Sequence, residues 1–124
     1  MKPIALVIED DEDLATIFTE ATEAAGYQVE AIPSGDLALR RLEEVTPYLI
    51  VLDLHLPVVT GPQILKFIRA NDRLKDAQVI IASADDRLAE YHRDKATMVM
   101  LKPISFVQLR DLTQRLRPAD SPPA

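Results

Sequence analysis

Five short apolar runs alternate with segments of helical periodicity, and that alternation leaves few folds open to the chain. The runs are 4–8, 28–32, 49–53, 78–82 and 98–101. Most are rich in β-branched residues and apolar without interruption, as expected for parallel strands covered on both faces. Gln28-Val29-Glu30-Ala31-Ile32 alternates instead, which suits an edge strand.

Between the runs lie helix candidates. Leu14, Ile17, Phe18, Ala21 and Ala25 recur at helical spacing, with Gly26 placed to end the helix. Ser34 is an N-cap candidate for a short helix carrying Ala38, Leu39 and Leu42, and Pro62 suits the first position of a helix carrying Ile64, Leu65 and Ile68. Ser105-Phe106-Val107-Gln108 reads as a capping box that opens the last helix. Segment 86–94 is the weakest helix, anchored only by Leu88, Ala89 and Tyr91, so local stability should be lowest there. Strict β–α alternation implies a parallel sheet with helices on both faces, and right-handed crossovers prune the topologies. The expected class is α/β, a flavodoxin-like (βα)5 three-layer sandwich with a parallel five-stranded sheet in the order 2-1-3-4-5. That order makes the junction of the first and third strands the place where ligands bind. The expected domain spans 1–117, with 118–124 a disordered tail or linker stub.

Composition removes several function classes. The chain has no cysteine, which excludes disulfides and thiolate chemistry. Its formal net charge is −6, the wrong sign for a surface that neutralises nucleic-acid phosphates. No apolar run approaches the roughly 20 residues of a membrane helix. The start, Met1-Lys2-Pro3, leads into a strand and then acids, unlike a signal peptide. A cytoplasmic location is expected.

The strand ends carry the chemistry. Ile4-Ala5-Leu6-Val7-Ile8 runs into Glu9-Asp10-Asp11, Leu49-Ile50-Val51-Leu52 into Asp53, and Met98-Val99-Met100-Leu101 into Lys102-Pro103. Carboxylates gathered at one edge repel unless a cation intervenes. Mg²⁺ is suited to that place, because it takes one or two carboxylates, keeps several waters and accepts phosphate oxygens. Asp11, Glu12 and Asp13 have a plainer explanation as acids at a helix N-terminus. Asp53 is harder to explain so, since an ionised carboxylate between Leu52 and Leu54 is costly without a partner. Its chemical reading is a nucleophile that accepts a phosphoryl group as an acyl phosphate. Lys102 would offset charge in that transfer. Pro103 stops the strand, and a cis bond before it would turn the lysine toward the acids. Ser83, after Val79-Ile80-Ile81-Ala82, has a hydroxyl able to donate to a phosphate oxygen. His55, two residues beyond Asp53, could tune water access there.

Taken together, Val7-Ile8-Glu9-Asp10-Asp11, Val51-Leu52-Asp53-Leu54-His55-Leu56-Pro57 with Gly61, Ile81-Ala82-Ser83-Ala84, and Leu101-Lys102-Pro103 resemble the response-regulator receiver domain of two-component signalling. The resemblance runs from Ile4 to about Leu116. It implies that Asp53 is the phosphoacceptor, Ser83 the switch hydroxyl and Lys102 the phosphate-binding lysine. It also implies a Mg²⁺ (or Mn²⁺) site formed by Asp10, Asp53 and the backbone carbonyl of His55, with Glu9 acting through water. The implied donor is a phosphohistidine on a sensor histidine kinase or a histidine phosphotransfer protein, and the implied output is altered binding of a downstream protein through 83–94 and the last strand and helix. Such a module is no turnover enzyme, and a monomer or weak dimer is expected.

Two departures from the family pattern stand out. Val99 occupies the place, three residues before the lysine, where the family commonly has an aromatic switch residue. Lys95-Ala96-Thr97-Met98 replaces the usual small, acidic stretch. These leave an alternative open, a receiver-like interaction module that works without phosphorylation. A haloacid-dehalogenase-like phosphatase is disfavoured because His55 stands where its second aspartate belongs. A flavodoxin-type cofactor site is disfavoured because Glu9-Asp10-Asp11 would repel a phosphate.

Overall fold

The computed structural model describes residues 1–119. Five strands, β1 (Ile4–Ile8), β2 (Gln28–Ile32), β3 (Leu49–Asp53), β4 (Gln78–Ser83) and β5 (Met98–Leu101), alternate with five helices. The helices are α1 (Glu12–Ala24), α2 (Gly35–Glu44), α3 (Gly61–Ala70), α4 (Asp86–Tyr91) and α5 (Phe106–Arg115). A single 3₁₀ turn, Arg93–Lys95, follows α4. All strand pairings are parallel and the order is β2-β1-β3-β4-β5, the flavodoxin-like arrangement expected from the alternation. Of the expected 118–124 tail, 120–124 lie outside the described residues.

Successive strand side chains point to opposite faces, and the core divides accordingly. Leu6, Ile8, Ile50, Leu52, Val79 and Ile81 pack against α2, α3 and α4 through Leu42, Ile64, Leu65, Ile68 and Ala89. Ala5, Val7, Leu49, Val51, Ile80 and Ala82 pack against α1 and α5 through Phe18, Ala21 and Leu109. Burial on both faces is why these runs carry no polar alternation. The alternating run became β2, at the edge.

Local signals set the helix ends. Asp11 caps α1, accepting from the Leu14 N–H at 3.0 Å, and Gly26 follows the helix with φ of 102°. The Ser105–Gln108 capping box is formed in both directions. Helix α3 begins one residue before Pro62, behind a second box between Thr60 and Gln63. Ser34 occupies the N-cap of α2 but makes no cap hydrogen bond. The Asp36 carboxyl is held below its ordinary pKa, first by the neighbouring Ser34 side chain.

Register brings the chemistry together. Ile8 pairs with Leu52, so Glu9 and Asp53 leave neighbouring strands side by side. Asp53 pairs with Ala82 and Ser83 with Leu101, and the Lys102 N–H donates to the Ser83 carbonyl at 2.8 Å. The Lys102–Pro103 peptide bond is cis.

Candidate phosphoryl and metal site

At the carboxyl edge of the sheet, one oxygen each from Glu9, Asp10 and Asp53 lie within 4.8 Å of one another. Glu9 is 2% exposed and Asp53 4%, whereas Asp10 faces solvent. Buried carboxylates at such spacing need compensation. Lys102 supplies it, with Nζ 2.8 Å from Glu9 Oε1 and 3.6 Å from Asp53 Oδ1. The backbone contributes more: the His55 N–H donates to Asp53 Oδ1 at 3.1 Å, and the Asp11 N–H donates to Glu9 Oε2 at 3.2 Å. Gly61 lets the start of α3 approach the end of β3, since a Cβ there would lie 2.4 Å from both the Asp53 carbonyl oxygen and Leu54 Cα.

The titration behaviour follows from burial first. Loss of solvent pushes the Glu9 carboxyl up to about 7; the Asp53 charge adds to the rise, while Lys102 and the Asp11 N–H oppose it. Burial alone would lower the Lys102 ammonium, but Glu9 and Asp53 outweigh it and its pKa is raised. The lysine therefore remains charged where a phosphoryl group would need it.

Ser83 ends β4 fully buried, but its hydroxyl is engaged locally. It accepts from the Asp85 N–H at 3.0 Å and donates to the Asp85 carbonyl at 3.3 Å. The His55 imidazole is exposed and does not join the carboxylates; its Nε2 lies 3.6 Å from Asp85 Oδ2. Asp85 was not singled out from the sequence as part of this neighbourhood. The available signal was its place three residues before Leu88, whose N–H its side chain caps at 3.0 Å.

Residues 5–114 match the family model of the response regulator receiver domain. The chain belongs to that family. Over 112 residues it is 33% identical to the phosphate regulon transcriptional regulatory protein PhoB of Rhizobium meliloti (strain 1021), covering 88% of this chain and 49% of the relative. The receiver thus spans about half the length of that relative. Among solved structures, the receiver domain of a putative LuxO repressor protein from Vibrio parahaemolyticus has a TM-score of 0.81 at 29% identity, covering 94% of this chain and 93% of that one. The chemotaxis response regulator CheY4 of Vibrio cholerae has a TM-score of 0.85 at 22% identity, covering 94% of this chain and 99% of that one, a likeness of fold.

Receiver domains bind Mg²⁺ at an acidic pocket, and the donor set here fits such an ion. Every candidate ligand atom is oxygen, the preference of a hard cation. Two of the three carboxylates are buried while the third is open to solvent, leaving room for retained waters. Glu9 Oε1, close as it is to Lys102, is buried without a well-directed hydrogen bond. An ordered water beside a cation would satisfy it. At the position where the family commonly has an aromatic, Val99 is half-buried and packs against the core under α4. No helix among the described residues is long and apolar enough to cross a membrane.

Proposed function

We propose that this receiver takes a phosphoryl group from a phosphohistidine onto Asp53, and that the modified site changes how a partner protein binds. The donor would be a sensor histidine kinase or a histidine phosphotransfer protein in the cytoplasm. The observation that carries the reading is the half-buried Lys102 ammonium within reach of both Glu9 and Asp53. Asp53 Oδ1 already holds the His55 N–H, while Oδ2 has no hydrogen-bond partner among the described residues. In the transfer, an Asp53 oxygen forms the new O–P bond, the donor's N–P bond breaks, and the imidazole leaves with the bonding electron pair. Lys102 balances the charge that accumulates on the phosphoryl oxygens. Asp10, Asp53 and the His55 carbonyl, with Glu9 through water, would hold Mg²⁺ or Mn²⁺. Such an ion would supply further positive charge at the same oxygens.

The downstream consequence runs through Ser83. A phosphoryl group on Asp53 offers new acceptor oxygens, and the Ser83 hydroxyl is drawn from its local partner toward them. The loop into α4 follows, and with it 83–94 and the exposed side of β5 and α5. Val99 favours a second reading, a module whose partner binding ignores phosphorylation, because the position where the family commonly has an aromatic switch residue carries an aliphatic side chain here. The two readings separate on one experiment. With a phosphohistidine donor and Mg²⁺, wild type should become labelled, Asp53→Asn should not, and the partner should distinguish the labelled from the unlabelled form. Undiminished labelling of Asp53→Asn removes Asp53 from the role, and equal partner binding by both forms favours the second reading.

A further inference from the structure

Strand β2 closes one side of the sheet, and no strand lies along its outer edge among the described residues. The bonds it makes inward fix which of its backbone groups face out. The Gln28 N–H donates to the Pro3 carbonyl at 2.9 Å, and the Ile32 carbonyl accepts from the Glu9 N–H at 3.1 Å. Residues of a parallel strand turn their backbone groups to alternate sides. Gln28, Glu30 and Ile32 therefore face β1, while Val29 and Ala31 turn outward. Ala31 is exposed and Val29 half-buried. Each brings one donor and one acceptor to an edge that another extended chain can pair with.

Two grooves flank this edge, one on each face of the sheet, and they differ in charge. On the α1 face, a groove of about 620 Å³ has a floor at Ala15, Ala31 and Pro33 and an acidic wall of Glu12, Glu20 and Glu23. All three acids are exposed, and none makes an ion pair among the described residues. On the α2 face, a groove of about 330 Å³ is lined by Ile32 and by Leu37, which is 42% exposed. There Arg41 bridges Glu30 at 2.9 Å and Glu44 at 3.8 Å, so acid and base are matched. An extended chain laid along β2 sends alternate side chains into the two grooves. The α1 groove suits cationic side chains, and the α2 groove apolar ones.

We propose that the outer edge of β2 is a docking site for an extended segment of a basic partner protein. The segment pairs through Val29 and Ala31, with lysine or arginine at alternate positions against α1 and apolar residues against α2. Main-chain pairing supplies affinity in such a complex, and the flanking side chains supply selectivity. A second copy of this chain fits poorly. Joining two β2 edges about a twofold axis puts both α1 helices on the same face of the joined sheet, where each acidic wall would face its copy. The formal net charge of −6 adds to that repulsion. Asp53 lines neither groove, and the docking does not depend on its phosphorylation.

The test uses the full chain and a labelled peptide of alternating lysine and valine, followed by fluorescence anisotropy and amide exchange. Bound peptide should slow exchange at the Val29 and Ala31 N–H groups. No binding at low ionic strength, or protection confined to other elements, overturns the proposal. N-methylating the peptide at alternate residues keeps every charge and removes the pairing donors. Binding should weaken about tenfold, as expected for two lost hydrogen bonds; equal binding by the methylated peptide reduces the contact to charge attraction and overturns the docking. Glu20→Gln with Glu23→Gln should weaken binding about twofold to tenfold, the range for two exposed charge pairs, and unchanged affinity removes the acidic wall from the site. Ala31→Pro deletes one outward donor and leaves the pairing with β1 intact, since an edge strand tolerates proline where the N–H faces out. It should weaken binding about twofold to tenfold. Sedimentation of the chain alone tests the other occupant: a dimer that Ala31→Pro dissolves assigns the edge to a second copy and overturns the basic partner.

Discussion

Strand β3 and strand β5 both end in a charged residue at the same edge of the sheet, yet they are built differently. Every residue of β3 is buried, Asp53 included, and the β3–α3 connection is gripped by Gly61 and by the capping box that starts α3. In β5, Met98 and Leu101 are exposed, and α4 beside it buries only Ala89. The proposed phosphoacceptor therefore sits on the more enclosed of the two strands, and the proposed response on the more exposed one. Precise placement of charge requires a rigid support, whereas a surface that rearranges must come from the low-stability end of the structure.

Substitutions can break this contrast. The largest effect is expected for Leu52→Ala, which empties a wholly buried site in β3 and should cost about 2–5 kcal/mol in chemical denaturation. Leu101→Ala on β5 should stay within about 0.5 kcal/mol, because half of that side chain already meets solvent. Comparable losses at the two positions would remove the distinction. Gly61→Ala ranks next. Its Cβ would be driven against the backbone at Asp53 and Leu54, and about 1–3 kcal/mol of overpacking is expected, with weaker binding of a phosphoryl mimic because the Asp53 carbonyl must shift.

Acidity sharpens the contrast further. Glu9 titrates near 7 in the fold against an ordinary value of 4.5. Between those pH values the folded protein keeps a proton that the unfolded chain has released, so without divalent cations stability should fall as pH rises from about 4.5 to about 7. Mg²⁺ should restore stability at the upper end by binding the ionised acids, and a chelator should take that gain away. Glu9→Gln should flatten the slope in this window; thermal denaturation across the range measures both. The smallest effect concerns Val58, a β-branched residue at φ of 66° and 88% exposed in the β3–α3 loop. Val58→Gly should raise stability by up to about 1 kcal/mol, since glycine relieves that conformation without disturbing packing.

Much of this was legible along the chain because a sheet covered on both faces demands uninterrupted apolar runs. Gln28-Val29-Glu30-Ala31-Ile32 announced its edge position by alternating, and Ser105 with Gln108 announced the start of α5. The Thr60–Gln63 box was hidden by Pro62, a stronger local signal one residue inside the same helix. Ser34 looked like a cap by type and does occupy the N-cap position, but a residue's type does not fix its side-chain rotamer, and its hydroxyl makes no cap hydrogen bond. The acids and the lysine stood out because charge is rare at the end of an apolar run. Asp85 did not, because its partner His55 lies 30 positions away and only the pairing of β3 with β4 brings their loops together.

The most direct measurement is chemical trapping of the modified residue. After incubation with a phosphohistidine donor and Mg²⁺, borohydride reduces an aspartyl phosphate to a residue that peptide mass spectrometry can locate. The account predicts the mark on Asp53 alone and its loss when Lys102 is replaced by alanine. A mark on Asp10 or on another acid, with Asp53 untouched, would contradict it.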